Sequence, residues 1–392
     1  MPDPLGWVGP ALADLERRGL RRFPHHRATR AGRMVDGLVN LSSNDYLGLA
    51  GDPRLADAAA EAATTWGAGA GASRLVTGGT ALHRELEKAV AAWKRTEDAV
   101  VFSSGYLANC GTIPALVGPG DAVLSDELNH ASIVDACRLS RAQVLVYPHG
   151  DVKALEGLLD REAAGAGRRL IVTDGVFSMD GDAADLPALC AAADAHDTMV
   201  MVDDAHGCGV IGPDGRGTAA LQGCAERVGV HMGTLSKAFG AAGGYVAGSG
   251  DLCEWLRNRA RAYVFDTAPP PPVAAAALAG LHIAHGEPWR RERAVDLARR
   301  LGEGLAGLAA LSPAHAESSP GPAGGHAESS PGPAGPANAA DPPPGPAGPA
   351  DPAQSSPRVH PASPRSGNAR NQEETARESH EQVHPVSPMR QN

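Results

Sequence analysis

The segment Thr234–Gly240 carries a lysine, Lys237, flanked by hydroxyl groups and glycines. It follows a short apolar run, at a point where a loop would lie at the carboxyl edge of a sheet. A lysine can attack an aldehyde when it is held close to it and is partly desolvated. Neighbouring hydroxyls such as that of Thr234 could bind a phosphate group. Taken alone, the segment is more often a solvated loop with an ordinary lysine.

A second candidate is the apolar run Met199–Val202, which ends in Asp203-Asp204-Ala205-His206. A carboxylate at the end of a buried strand needs a cationic or hydrogen-bonding partner. The protonated nitrogen of a pyridine ring would be such a partner, and its charge would make the ring a better electron sink. On local pattern alone, a metal site or a structural ion pair explains these residues equally well.

Three further polar segments follow predicted strands. Ser103-Ser104-Gly105-Tyr106 opens a helix, whose free N–H groups suit a phosphate, although a plain N-cap serine is the commoner case. His130 also opens a helix and could stack on a flat ring or simply cap the helix. The segment Thr173–Asp182, which includes Ser178, is rich in hydroxyl and carboxylate groups.

The elements that position these segments alternate between short β-branched runs and Ala/Leu-rich helical runs. Predicted strands are Ala99–Phe102, Ala122–Leu124, Gln143–Tyr147, Arg169–Thr173, Met199–Asp203 and Tyr245–Gly248. Predicted helices include Leu12–Leu20, Ala81–Trp93, Gly105–Leu116, Ala131–Leu139, Val152–Leu159, Leu186–Ala195, Leu252–Ala262, Val273–Ala284 and Trp289–Ala310. This alternation predicts an α/β fold with a mainly parallel sheet and helices on both faces. Ligands on such sheets bind beyond the carboxyl ends of the strands.

The chain divides by composition into four parts. We expect an N-terminal helical segment over 1–40, a large ligand-binding domain over 41–268 and the helical start of a C-terminal domain over 269–311. From 312 to 392 the sequence is rich in Pro, Gly, Ala and Ser and contains no Leu, Ile, Phe, Trp or Tyr. Such a segment cannot bury enough apolar surface to offset chain entropy, so we expect it to be disordered.

Charge and cysteine content exclude several classes of protein. The 392 residues carry a formal net charge of −10, which argues against nucleic acid or an anionic membrane as partner. No apolar stretch is long enough to span a bilayer. Six scattered cysteines without a Cys-x-x-Cys pair fit free thiols in a reducing cytoplasm.

Taken together, these segments resemble the α-oxoamine synthases, a family of fold-type I enzymes that use pyridoxal 5′-phosphate. The matching stretches follow the family's order and spacing from about residue 12 to about residue 311. They are Ser42–Leu49, Gly71–Gly78, Ser103–Tyr106, His130–Ser132, Val176–Asp182, Val202–Gly207 and Thr234–Lys237. The resemblance implies a transferase with the fold of that family.

The resemblance also implies roles for individual residues. Lys237 would bind the cofactor covalently, Asp203 would pair with its ring nitrogen and His206 with its phenolic oxygen. His130 would stack on the ring, help in catalysis and contact the substrate. Ser178, Thr234 and the backbone of Gly105 and Tyr106 would complete the cofactor site. Arg21 would contact the acyl substrate, with Arg22 as a competitor for that role. No metal is implied.

Among family members, the match is nearest to those that join L-alanine to a pimeloyl thioester, of CoA or of a carrier protein, in biotin synthesis. Members are cytoplasmic homodimers with active sites at the subunit interface. A glycine-using sister enzyme remains an alternative. So does a poorly active remnant, since the family's C-terminal Pro-Pro-x-x-Pro-x-Gly-Thr segment and arginine-bearing strand do not appear. Many relatives also have Glu where this chain has Asp174.

Overall fold

A seven-stranded sheet forms the centre of the protein, seen in a computed structural model that describes residues 3–310 and their side chains to residue 305. The described strands are β1 Met34–Val35, β2 Leu38–Val39, β3 Asp98–Phe102, β4 Ala122–Asp126, β5 Gln143–Tyr147, β6 Arg169–Asp174, β7 Met199–Asp203, β8 Val230–Thr234 and β9 Gly244–Gly248. In the large sheet they lie in the order β3-β9-β8-β7-β6-β4-β5. Strand β9 is antiparallel to both neighbours, and the other pairs are parallel. Strands β1 and β2 form a separate hairpin.

Helices follow most of the strands. In chain order they are α1 Val8–Arg17, α2 Pro53–Trp66, α3 Ala81–Lys94, α4 Gly105–Leu116, α5 Ala131–Ser140, α6 Val152–Arg161, α7 Leu186–Ala195, α8 Thr218–Leu221, α9 Gly250–Arg259, α10 Arg261–Val264, α11 Pro271–Gly286 and α12 Trp289–Ala310. Within residues 3–310, none of these helices is long and apolar enough to cross a membrane. The six cysteines are all free.

Both faces of the sheet are buried, which explains why its strands are continuous apolar runs. Along β7, Met201 packs into a core cluster with residues of α4, α5 and α9, whereas Val200 and Val202 pack into another with residues of α6 and α7. Alternate side chains point to opposite faces of a strand, so a strand covered on both faces must be apolar throughout. The polar residues are therefore displaced to the strand ends.

The carboxyl ends of the parallel strands carry those polar residues. Strands β4, β6 and β7 end in Asp126, Asp174 and Asp203, and β8 ends in Thr234. All four residues are buried. Because the strands are parallel, the loops that follow these residues meet at one edge of the sheet.

The predicted fold class is confirmed: the sheet is mainly parallel and lies between helices. The structure adds β8 and α2, which the sequence did not predict, and divides the predicted helix Leu252–Ala262 into α9 and α10 at Ala260. Helix α12 has its predicted bounds, and its apolar side chains Val295, Leu301 and Leu305 are exposed. The predicted tail, 312–392, lies outside the described residues.

Candidate active site

A cavity of about 220 Å³ opens at the carboxyl edge of the sheet. It is lined by Ser104, Gly105, Tyr106, His130, Ser132, Asp174, Ser178, Asp203, Ala205, His206, Met232, Thr234, Ser236 and Lys237. Every site residue predicted from the sequence except Arg21 is in this set. Two larger surface grooves, of about 770 and 800 Å³, contain none of them. The structure thus brings residues from five separate loops to one place.

Lys237 follows β8, and its amino group enters the cavity. Its Nζ lies 2.6 Å from Nε2 of His206. Burial lowers the pKa of Lys237 below its ordinary value, while the negative charge of Asp203 acts in the opposite sense. A lysine with a lowered pKa has a larger neutral fraction, and the neutral amine is the form that attacks a carbonyl.

His206 connects Lys237 to the loop that precedes α2. Burial, together with the positive charge of Lys237, lowers the pKa of His206 to about 4. A protonated Lys237 donates to Nε2 of neutral His206, whose proton is then on Nδ1 and is donated to Tyr46 Oη, 2.6 Å away. Tyr46 in turn donates to Oδ1 of Asn44, 3.1 Å away. The orientation of the imidazole is therefore fixed from both sides.

The two consecutive aspartates after β7 have different surroundings. Asp203 lines the cavity, and its Oδ1 accepts the backbone N–H of Ala205. Asp204 does not line it; its carboxylate accepts both the N–H and the hydroxyl of Thr218, at 2.8 and 2.7 Å. Gly217 passes so close to this carboxylate that a Cβ there would collide with it. Asp204 therefore anchors the following loop, and Asp203 is the carboxylate that faces a ligand.

Asp174 lies beside Asp203, since the two residues are paired in the register of β6 and β7. Burial, followed by the negative charge of Asp203, raises the pKa of Asp174 to about 8. Its Oδ2 accepts the backbone N–H of His130 at 2.7 Å. Two adjacent buried carboxyl groups cannot both ionise cheaply, so Asp174 keeps its proton well above the ordinary pH range of an aspartate.

This pKa has a consequence for stability that can be measured. Unfolded Asp174 loses its proton near its ordinary pKa of 3.8, whereas the folded protein keeps it to about pH 8. Between these values the folded state binds the extra proton, so stability falls as pH rises. We expect the melting temperature of the cofactor-free protein to fall as pH rises from about 7 to about 8.5. The measurement starts at about pH 7 because the histidines of the unfolded protein titrate below that pH and would also change stability. Asp174→Asn should flatten this fall, and equal slopes for both proteins would refute the assignment.

His130 precedes α5 and is its N-cap residue. Its Nδ1 accepts the backbone N–H of Ser132 at 3.2 Å and lies 2.8 Å from the hydroxyl of the same residue. The imidazole is thereby held at the mouth of the cavity by its own helix. A ring fixed in this way can pack against a planar ligand without losing further conformational freedom.

The start of α4 forms the end of the cavity that suits an anion. The hydroxyl of Ser104 accepts the N–H of Leu107, and the free N–H groups of the first turn give this end partial positive charge. Gly105 packs against Met232 and Thr234, and Gly244 leaves no room for a Cβ against the backbone of Gly105. Close approach of the two backbones therefore requires glycine at position 244.

Hydroxyl groups from the Lys237 loop face the same end of the cavity. The hydroxyl of Thr234 donates to the carbonyl of Gly243 at 2.9 Å. The hydroxyl of Ser236 lies 2.7 Å from the hydroxyl of Thr234. The donor set of the cavity thus fits pyridoxal phosphate: N–H and O–H groups for the phosphate, Asp203 for the ring nitrogen and an amine for the aldehyde. The buried carboxylate of Asp203 is the observation that most favours a cationic ring nitrogen.

Arg21 is the one predicted site residue that the structure places elsewhere. It is at the protein surface beyond α1, where Nη1 donates to Oε2 of Glu16 at 2.7 Å. Its contact with an acyl substrate stays a prediction. Conversely, Tyr46 and Asn109 were not predicted as site residues, although both bond directly to predicted site residues. Tyr46 lies within Ser42–Leu49, one of the stretches that match the family, so the family resemblance could have indicated a role for it.

Comparison with known proteins gives a consistent result. Residues 36–317 match the family described as aminotransferase class I and II. The chain is 53% identical over 308 residues to 8-amino-7-oxononanoate synthase from Anaeromyxobacter sp. (strain K). The aligned region covers 78% of this chain and 77% of that protein.

Two solved structures are also similar. Serine palmitoyltransferase from S. paucimobilis, solved with bound PLP and myriocin, aligns with a TM-score of 0.71 and 32% identity over 78% of this chain and 79% of that one. 8-Amino-7-oxononanoate synthase from Francisella tularensis aligns with a TM-score of 0.56 and 30% identity. The alignment covers 66% of this chain and 72% of that one.

Proposed function

This chain belongs to the class I and II aminotransferase family and is a PLP-dependent enzyme of the acyltransferase type, and from that premise we propose that it joins L-alanine to a pimeloyl thioester. The product would be 8-amino-7-oxononanoate, an intermediate of biotin synthesis. The observation that carries the proposal is the cavity in which Lys237, His206 and Asp203 converge. The identity to synthases of that name supports the choice of substrates.

Nine residues of the cavity would have a task in holding the cofactor. Lys237 would attach to its aldehyde and Asp203 would hold the ring nitrogen in its protonated form. His130 would cover one face of the ring, and His206 would bond the phenolic oxygen. The first turn of α4 at Gly105 and Tyr106, with the hydroxyls of Ser178, Thr234 and Ser236, would bind the phosphate. Bound PLP supplies an electron sink for charge that develops on the Cα of the amino acid.

The reaction can be written so that atoms and charges balance. Once the amino group of alanine has taken the place of Lys237 Nζ at the cofactor's aldehyde carbon, the freed Nζ would remove the Cα proton of alanine, and Cα would form a bond to the thioester carbonyl carbon. The C–S bond would break, and the leaving thiolate would take up one proton from solvent. The alanine carboxylate then leaves as CO₂, and a proton from Lys237 Nζ replaces it at Cα. In sum, alanine, thioester and one proton give the amino ketone, a thiol and CO₂.

A homodimer is the second part of the proposal. The loop over residues 67–79 carries Leu75 and Val76, which are 54% and 74% exposed. An isolated antiparallel β-bridge between Ser73 and Thr267 joins this loop to the segment that contains Phe265. The side chain of Phe265 is 69% exposed. That segment bonds through Asp266 to Ser103, next to the start of α4. An apolar surface beside the cavity is where a second copy would complete the site.

The dimer can be tested by one charged substitution. Val76→Glu would place a carboxylate in the apolar contact, so we expect a monomer and loss of activity, whereas the unmodified protein is a dimer. Light scattering on the purified proteins measures this. Leu221→Glu, at an exposed leucine of α8 outside this surface, should leave the dimer intact. A monomeric parent protein would contradict the interface.

The choice of amino acid is tested by supplying alanine, glycine or serine with pimeloyl-CoA and identifying the product by mass. Alanine should give 8-amino-7-oxononanoate, and the Lys237→Ala variant should give none. A bacterium that lacks its own 8-amino-7-oxononanoate synthase should then grow without biotin when it expresses this chain. Product from glycine but not from alanine would place the chain among the glycine-using sister enzymes.

A further inference from the structure

Asn109 is a fully buried side chain in the first turns of α4 that bonds to two residues of the cavity. Its Nδ2 donates to Oδ2 of Asp203 at 2.7 Å and to the hydroxyl of Ser132 at 2.8 Å. The orientation of the amide is unambiguous, because turning it over would bring its oxygen against a carboxylate oxygen. One amide group thus joins the loop after β7 to the start of α5.

The contact continues from Ser132 to His130. The hydroxyl of Ser132 accepts from Asn109, so its own proton is free for Nδ1 of His130, 2.8 Å away. Nδ1 also accepts the backbone N–H of Ser132. With two donors directed at Nδ1, neutral His130 carries its proton on Nε2. Asp203, Asn109, Ser132 and His130 therefore form one continuous network of hydrogen bonds.

Two features show that this network is more than packing. The donors to Asp203 are the N–H groups of Asn109 and Ala205, one to each oxygen, and groups that can only donate fit an ionised carboxylate. In addition, Oδ1 of Asn109 is buried without a hydrogen-bond partner among the described residues. An unpartnered buried carbonyl is unfavourable, and a leucine of similar size would avoid it. The amide occupies this position in spite of that cost.

We propose that Asn109 is a positioning residue, which fixes the carboxylate of Asp203 and the ring of His130 relative to each other. This inference rests on the proposed function, because it assigns Asp203 to the cofactor's ring nitrogen and His130 to its face. Without the amide, Oδ2 of Asp203 lacks its donor, and the carboxylate competes more strongly for the proton on the ring nitrogen. Asn109 would then control how well the cofactor accepts electrons while touching neither cofactor nor substrate.

The proposal is tested with Asn109→Leu and Asn109→Asp, each compared with Thr112→Val. Thr112 is a matched control, since it is also fully buried on α4 and its hydroxyl has no partner among the described residues. Asn109→Leu should lower kcat by about 10–100-fold, as is typical when a group that orients a functional residue is removed. KM for the thioester should change much less than kcat, because the network is argued to act through the residues assigned to the cofactor. Thr112→Val should behave as the parent protein.

Asn109→Asp gives a readout that a purely structural role would not move. A protonated carboxyl group at this position can still donate to Asp203, whereas an ionised one repels it. The kcat profile should therefore gain a new decline as pH rises. The absorbance of the resting holoenzyme, titrated without substrate, should gain a transition at the same pH. Asn109→Leu should lack that transition.

The outcomes separate the two proposals. If the parent protein binds PLP but makes no product, the function fails, while the absorbance titration of Asn109→Asp still decides the role of Asn109. Parental kcat and an unchanged titration in both variants would overturn the inference, as would equal losses in Thr112→Val. Should Asn109→Leu not fold, the pH titration of Asn109→Asp alone decides.

Discussion

Replacement of Lys237 by alanine should abolish both covalent attachment of PLP and product formation. The chain contains four lysines: Lys88, Lys94, Lys153 and Lys237. Among the described residues that line the cavity, Lys237 is the only one of them. Removal of the group that takes and returns the Cα proton should cost at least about 10³-fold in kcat, since general acid–base catalysis alone contributes roughly 10²–10⁴-fold. Single-turnover product analysis measures the loss.

The attachment itself can be located. Borohydride treatment of the holoenzyme should fix the cofactor on the one tryptic peptide that contains Lys237. Lys94→Met is a suitable control, since Lys94 is also buried but donates to the carbonyl of Arg216 at 2.6 Å, away from the cavity. Reduced cofactor on Lys94, or on an exposed lysine such as Lys153, would show that the wrong lysine has been assigned.

Asp203→Asn should reduce turnover far more than it reduces cofactor content. The substitution keeps the shape of the side chain but removes the charge that holds the ring nitrogen protonated. Its new NH₂ group would also face one of the two N–H donors that now bond the carboxylate. We expect kcat to fall by about 10²–10³-fold, the loss typical of one removed electrostatic contact. Contacts to the phosphate should persist, so the dissociation constant for PLP should rise by less than about tenfold.

Asp174→Asn is the matched control for this effect. Asp174 is the neighbour of Asp203 across β6 and β7, and its raised pKa means that it is already neutral at pH 7. An asparagine there replaces one neutral group by another, so kcat should change by less than about tenfold. If the two substitutions had equal effects, the distinction between the charged and the neutral carboxyl group would be wrong.

The sequence predicted the fold class because strands buried on both faces leave a clear apolar signal. Strand β8 gave no such signal, since its sequence Val230–Thr234 includes His231, Gly233 and Thr234. His231 is tolerated in the sheet because its Nε2 bonds the carbonyl of Ala225, a contact that depends on tertiary structure. Helix α2 could have been predicted: Asp52 caps it by accepting the N–H of Arg54, and Pro53 occupies its first position.

The candidate site was predicted in its residues but not in its connections. Lys237, Asp203, His206 and His130 follow strands, and parallel strands bring such residues to one edge. Which of Asp203 and Asp204 faces the cavity could not be read from two adjacent identical letters without the family resemblance. The role of Asn109 was inaccessible for a different reason. Its partner Asp203 is 94 residues away, and an asparagine in a helix carries no local mark of such a contact.

The central claim is that this chain condenses alanine with a pimeloyl thioester and releases the alanine carboxylate. Its most direct test uses L-alanine isotopically labelled at the carboxyl carbon, pimeloyl-CoA and stoichiometric holoenzyme, followed through one turnover. We predict unlabelled 8-amino-7-oxononanoate, with all released label in CO₂ and one free thiol for each product molecule. Holoenzyme with PLP on Lys237 that forms no such product, or a product that retains the label, would contradict the account.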